Sequence, residues 1–229
     1  MSQLALPLKL QDHAVFESFL PTGNEALVAF LTGLVATPGG PGGWIFGGHS
    51  TGKTHLLQAV CERAAEHGQF VPLTEFKDAG PEILEGLQNR QFVCLDDVDS
   101  VAGNKDWELG LFGLLNSLLD AGGTLLCAAA ASSRECGFEL ADLRSRFSRL
   151  PAFQLQSLGD AERIEALRLR AHHRGLELPP ETASYLLTRS KRDMASLYAL
   201  LDKLDTEALK AQRRLTIPFV KDVIELNQS

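Results

Sequence analysis

Four side chains, Lys53, Thr54, Asp96 and Asp97, stand where their types and spacing carry chemistry. Lys53 and Thr54 close the run GGHSTGKT at 47–54, which fits the pattern G-x-x-x-x-G-K-[ST]. Gly47 and Gly52 allow the backbone to curl until the N–H groups of Gly48, His49, Ser50 and Thr51 face one concavity, a shape that holds phosphate oxygens. Lys53 adds a point charge for the β and γ phosphates, and the Thr54 hydroxyl is placed to complete a Mg2+ shell. Asp96 and Asp97 end the apolar run FVCLDD. In that position Asp96 orients Mg2+ directly or through water, and Asp97 polarises an attacking water. Carboxylates also end strands as plain turn formers, but beside a phosphate loop the metal reading is preferred. The expected ligands are ADP or ATP with Mg2+.

This chemistry needs a strand, a loop and a helix in that order, and the flanks supply them. Residues 44–46 read as a buried strand, and 55–65, beginning at His55, as a helix whose N-terminus favours anions. Further strands are expected at 70–73, 92–95, 124–128 and 153–155, each separated from the next by a helix-length segment. The fold class is therefore α/β, a five-stranded parallel sheet flanked by helices. A helix at 24–36 precedes it, and the run PGGPGG at 38–43 reads as a breakable loop ahead of the first core strand. Phe16, Phe19 and Leu20 are expected to pack against that first helix as a hydrophobic staple. Trp107 and Phe112 share helical spacing with Leu111, Leu114, Leu115 and Leu118, which serves the core. Past residue 157 the pattern becomes purely helical, at 160–173, 180–188, 193–205 and 218–226, and forms a small all-α lid domain. The expected division is 1–10, an N-terminal peptide, 11–157, the α/β domain, and 158–229, the lid.

With 229 residues, 45% of them hydrophobic, the chain can bury a full core. Its net charge of -7 argues against a duplex-binding surface, so DNA is expected to be met only through a partner. Cys61, Cys94, Cys127 and Cys136 stand singly and read as buried thiols in a reducing cytoplasm. The first residues lack an export signal and no apolar run is long enough to span a membrane. His49 and His55 flank the phosphate loop as surface or supporting residues; no spaced ligand set points to a metal other than Mg2+.

The stretches GGHSTGKTHLLQA, VCLDDVDSVAG, LADLRSRFSRL and LDTEALKAQRRLTIPFVKDVIEL together resemble AAA+ modules of the DnaA clade, most closely its Hda family of DnaA-related regulatory inactivators. The resemblance spans nearly the whole chain, and DnaA's additional helix-turn-helix domain has no counterpart before Ser229. It implies that Arg146 is an arginine finger acting in trans on ATP held by DnaA. Three arginines in six residues are otherwise read as a solvated helix face. It further implies that the hexapeptide QLALPL, carrying Gln3, Leu4, Leu6, Pro7 and Leu8, docks in the groove of the replicative sliding clamp, the DNA polymerase III beta subunit. Physically, Pro7 biases Leu6 to extended geometry and the leucines alternate, so the peptide needs a pocket, whether a partner's or its own domain's. A homodimer or higher oligomer is compatible with that.

Two departures from the family pattern bear on turnover. Ala129, Ala130 and Ala131 follow the fourth strand where a polar sensor residue is usual, and Ala195 stands at the second sensor position, with Arg192 three residues earlier as its candidate replacement. The implied protein is a negative regulator of replication initiation that keeps ADP, turns over ATP weakly and promotes hydrolysis of DnaA-bound ATP. The alternative is an AAA+ helicase loader with its own DNA-stimulated ATPase. A small-molecule P-loop kinase is a third class, for which nothing in the chain speaks.

Overall fold

The computed structural model describes residues 14–40 and 42–225. The described chain falls into two compact units: 14–16, 24–49 and 53–156 form the first, and 17–23, 50–52 and the chain from 157 onward form the second.

The first unit opens with helix α1 (Glu25–Ala36), then strand β1 (Gly42–Phe46), helix α2 (Lys53–Ala64), strand β2 (Gly68–Pro72), the one-turn helix α3 (Leu73–Phe76) and strand β3 (Phe92–Asp96). Helix α4 (Lys105–Asp120), strand β4 (Thr124–Ala129), helix α5 (Ala141–Phe147) and strand β5 (Ala152–Gln154) complete it. The strands pair in parallel in the order β2-β3-β4-β1-β5. Parallel sheets are covered on both faces, which is why β3 and β4 are buried at every position and read as unbroken apolar runs. Edge strand β5 is exposed at Ala152 and Gln154. Trp44 sits at the centre of the core, its ring 5.0 Å from that of Phe147 and 6.3 Å from that of Phe138. Trp107, Leu111, Leu114, Leu115 and Leu118 of α4 join the same cluster, as their spacing requires.

One expectation fails in an instructive place. The glycines at the end of PGGPGG are not a loop: Gly42 and Gly43 are buried members of β1. A Cβ on Gly42, at φ 102°, would stand 1.7 Å from the carbonyl oxygen of Leu125, and one on Gly43 would stand 2.9 Å from the Phe30 ring. Glycine here permits close approach of β4 and α1, so the residues that look breakable are packed. The staple is also revised. Phe16 lies under the guanidinium of Arg63 on α2, 5.1 Å from its ring centroid, while the ring of Phe19 packs on Gly52.

The second unit contains α6 (Asp160–His173), α7 (Pro180–Arg189), α8 (Met194–Ala211) and α9 (Ile217–Glu225). Its core gathers Leu167, Ala171, Leu186, Leu197, Leu201, Leu204 and Val220. Helix α8 runs past the expected end at 205 because Leu204 and Ala208 continue its buried face, and it stops where Gln212 turns left-handed at φ 52°. Arg174 of this unit pairs with Asp202 at 2.6 Å, and Arg170 stacks 4.3 Å over Tyr198. Among the described residues no helix is long and apolar enough to cross a membrane. Cys61, Cys94 and Cys127 are buried and Cys136 is half-buried, all as free thiols; burial pushes the Cys94 and Cys127 thiols well up.

Candidate functional site

Ligands of open α/β sheets collect beyond the carboxyl ends of the strands, and the predicted residues fall there. The segment after β1 is tied to the end of β4, because Gly47 N–H donates to the carbonyl of Ala129 at 3.3 Å. Two positive φ angles, 56° at Ser50 and 104° at Gly52, bend the segment back on itself, the left-handed positions that make a nest of N–H groups. Lys53, buried at the start of α2, donates from Nζ to the carbonyls of Gly47 and Gly48, both at 2.8 Å. An ammonium has three protons, so one remains for a ligand. The Ser50 hydroxyl is buried with no hydrogen-bond partner, a polar orphan on the loop itself. His55 is anchored by its ring, Nε2 lying 2.9 Å from the carbonyl of Val15, whereas His49 is exposed.

From β3 the structure brings in the carboxylates. Thr54 Oγ1 donates to Asp96 Oδ2 at 2.5 Å, across 42 positions of sequence. Asp97 N–H donates to Asp96 Oδ1 at 3.1 Å, and Asp97 itself is left-handed at φ 51°, its Oδ2 accepting from the Thr74 hydroxyl at 3.2 Å. A left-handed aspartate costs about 1–2 kcal/mol, a kind of strain that clusters at functional sites. Asp99, which no motif singles out, accepts the N–H of Ala130 at 3.3 Å and thereby ties the β3 end to the β4 end. A hydroxyl and a buried carboxylate together are the hard oxygen donors that Mg2+ takes while keeping water and phosphate as its other ligands. No group of three or more His, Cys, Asp or Glu suited to holding a metal ion occurs among the described residues. The orphaned Ser50 hydroxyl, the spare Lys53 proton and the N–H curl fit a phosphate in the same way.

Arg146 lies on α5, exposed, and its side chain makes no ion pair or hydrogen bond among the described residues. What holds its helix in place was not visible in the sequence. Glu108 of α4, only 1% exposed, accepts from the N–H groups of Gly103 at 2.8 Å, Glu139 at 3.0 Å and Leu140 at 2.6 Å. Leu140 is the cap residue of α5, so a buried carboxylate fixes the turn from which Arg144 and Arg146 project. In the second unit Arg192 is exposed and pairs with Asp160 at 3.4 Å, and Ala195 is exposed on the first turn of α8. Ala130 offers only its backbone at the β4 end. The hexapeptide with Gln3, Leu4, Leu6, Pro7 and Leu8 lies outside the described residues.

Residues 160–224 match the family model described as "Hda, lid domain". The chain superposes on domain III of the Thermotoga maritima replication initiation protein DnaA with a TM-score of 0.76 at 20% identity, over 93% of this chain and 95% of that one. The chain therefore has the fold of that DnaA domain, and its C-terminal helices match the lid of the Hda family. AMPPCP-bound DnaA from Aquifex aeolicus has the same fold, with a TM-score of 0.68 and 22% identity over 85% of this chain and 65% of that longer one. The Holliday junction branch migration motor RuvB of Thermotoga maritima follows at a TM-score of 0.62 and 17% identity, over 91% of this chain and 69% of the other. The expected architecture, a five-stranded parallel sheet flanked by helices and followed by an all-α lid, is the architecture found, and it is shared with these DnaA and RuvB structures.

Electrostatics give the site a testable pH signature. Burial pushes the Asp96 carboxyl up to about 6; the Thr54 hydroxyl opposes this, Asp97 adds to it, and the Asp97 N–H and Lys53 oppose it. A carboxyl whose folded value exceeds its unfolded one destabilises the fold when ionised, so stability rises as pH falls from above 6 towards 4. Asp96→Asn removes that effect. Without nucleotide and Mg2+, the variant is expected to be more stable than the wild type at pH 8, on the order of 1–3 kcal/mol, with the difference falling to about a third of that at pH 4.5 and vanishing only near pH 3. Urea melts at pH 8 and pH 4.5 measure it, and a gap of the same size at both would refute the assignment.

Glu108 gives a second. Removing its carboxylate leaves three backbone N–H groups without an acceptor, at about 1–3 kcal/mol for each buried group. Glu108→Ala is therefore expected to cost about 3–4 kcal/mol in denaturant melts, and Glu108→Gln, which keeps one acceptor, clearly less. A loss below about 1 kcal/mol for the alanine variant contradicts the role.

Proposed function

We propose that this DnaA-related protein is a negative regulator of replication initiation that holds ADP, docks on the DNA-loaded sliding clamp and promotes hydrolysis of ATP bound to DnaA. The observation that carries the reading is a separation of duties. The phosphate curl is fully formed, yet Arg146 is exposed and unpaired on a helix braced from behind by Glu108. A guanidinium is permanently charged and suits the equatorial oxygens of a transferring phosphoryl group, so an outward one serves a neighbour's nucleotide. The DnaA likeness of the fold and the Hda lid match support the choice of that neighbour.

In this reading Gly47 to Gly52 cradle the phosphates through backbone N–H groups, Lys53 neutralises them, and Thr54 with Asp96 hold Mg2+. Asp97 is positioned to orient water, but Ala129 to Ala131 and Ala195 offer no side chain that reads a γ-phosphate, so ADP is the working ligand. Arg192, held by Asp160 in this structure, is the group available to replace the second sensor. The clamp contact falls to Gln3, Leu4, Leu6, Pro7 and Leu8, DNA being engaged around that contact, and the protein works in the cytoplasm. AMPPCP-bound DnaA supports nucleotide in the phosphate curl by analogy of fold.

The test is capture of the sliding clamp by the full chain and by a chain lacking residues 1–8, in ADP and in ATP. Capture that needs both the peptide and ADP is the expected result. Equal capture by the shortened chain removes the clamp from the proposal.

A further inference from the structure

The arginines of the α/β unit divide into two groups. Arg63 lies over the Phe16 ring and Arg90 donates to the carbonyl of Glu66 at 2.8 Å. Arg134, Arg144, Arg146 and Arg149 are all exposed, and among the described residues none has an ion pair, ring contact or side-chain hydrogen bond. Two of them, Arg134 and Arg144, line one open cavity of about 370 Å³ together with Ala141, Ser145 and Ser148.

The lining decides what such a cavity takes. No carboxylate faces it: the nearby Glu135 is held by the Ser132 hydroxyl at 2.6 Å, and Glu139 and Asp142 are not among the lining residues. Guanidinium forks and serine hydroxyls are the donors that commonly meet phosphate oxygens. The Ser148 hydroxyl gives its proton to the carbonyl of Ser145 at 2.9 Å, which leaves the Ser145 hydroxyl to donate. Apart from the methyl of Ala141 the lining carries no apolar side chain, whereas a protein partner would need an apolar centre to its interface. Interfaces with nucleic acid are polar, wet and positively charged. The cavity is open, whereas a free nucleotide takes an enclosing and mostly apolar pocket, so a polymer that repeats the phosphate suits it better. No aromatic ring lines the cavity, so unpaired bases have nothing to stack on, and a duplex backbone is favoured over a single strand.

We propose that the cavity lined by Arg134, Arg144, Ser145 and Ser148 is a phosphodiester site, through which this protein touches the backbone of duplex DNA directly and without reading its sequence. The net charge of -7 does not prevent this, because at about 0.1 M salt the carboxylates more than about 10 Å away are screened. The site is separate from the action of Arg146 on a neighbour's nucleotide, and it departs from the expectation that DNA is met only through a partner.

The experiment titrates the full chain, alone and without nucleotide, into a fluorescein-labelled duplex of about 25 base pairs at about 50 mM salt and rising. Micromolar binding is expected, weakened at least about tenfold in Arg134→Ala with Arg144→Ala, with a log–log salt slope shallower by about 2. Arg214→Ala, an exposed arginine of the other unit, is the control and is expected to bind like the wild type. Unchanged thermal melts show that these surface variants fold. Absence of duplex binding at low salt, or equal binding by the double variant, overturns the proposal. So does poly-glutamate bound as tightly as DNA through the same two arginines, which would make the site a dock for an acidic protein.

Discussion

Arg146→Ala is expected to reduce stimulated hydrolysis of DnaA-bound ATP by about 10³-fold or more, the range in which an arginine supplied in trans acts on phosphoryl transfer. The side chain is exposed and unpaired, so its removal leaves the fold, the nucleotide content and clamp capture as they are. Arg146→Lys is expected to fail almost as badly, because a lysine is a point charge without the planar fork that spans two equatorial oxygens. Arg144→Ala, two residues away and on the far side of the helix from any 3.6-residue repeat of Arg146, is expected to retain most of the stimulation. Full stimulation by Arg146→Ala would leave the helix a solvated arginine face.

Lys53→Ala is expected to weaken ADP binding by about 100- to 1,000-fold, read by titration with a fluorescent ADP analogue. The ammonium contributes one charge-assisted bond of about 1.5–3 kcal/mol to phosphate oxygen, and it also ties the curl through Gly47 and Gly48. Two losses therefore coincide, that of the charge and that of the preformed loop. Because the proposed nucleotide is structural and regulatory, this variant is also expected to lose clamp capture in ADP while its sheet unfolds cooperatively as before. Tenfold or smaller weakening would show that the backbone nest carries the affinity without the lysine.

What could be read from the sequence, and what could not, follows from how far apart the interacting groups lie. The phosphate curl is local: eight consecutive residues fix its glycines, its charge and its hydroxyl, and the flanking strand and helix follow from apolar spacing. Strands β3 and β4 were legible for the same reason, since burial on both faces writes an unbroken apolar run. The bond from Thr54 to Asp96 spans 42 positions, and a motif can suggest it but only the sheet order that places β4 between β1 and β3 delivers it. Glu108 shows the limit best. On α4 it reads as one more solvated charge, because its partners Glu139 and Leu140 lie 31 and 32 positions away and present only backbone N–H groups. Gly42 and Gly43 mislead for the opposite reason: composition marks them as breakable, whereas their lack of a side chain is what lets β1 lie against Leu125 and Phe30. Asp99 binds a backbone N–H across strands and leaves no trace in spacing.

The central claim is that the nucleotide held here stays intact while the neighbour's is consumed. The most direct measurement loads the full chain with ADP carrying one label and DnaA with ATP carrying another, then follows both after mixing with the sliding clamp on DNA. The account predicts rapid conversion of DnaA's ATP to ADP while the label on the chain remains unchanged and bound. It is contradicted if DnaA's ATP persists while the isolated chain turns over ATP near a typical enzyme rate of ~10 s⁻¹ on single-stranded DNA, the behaviour of a helicase loader.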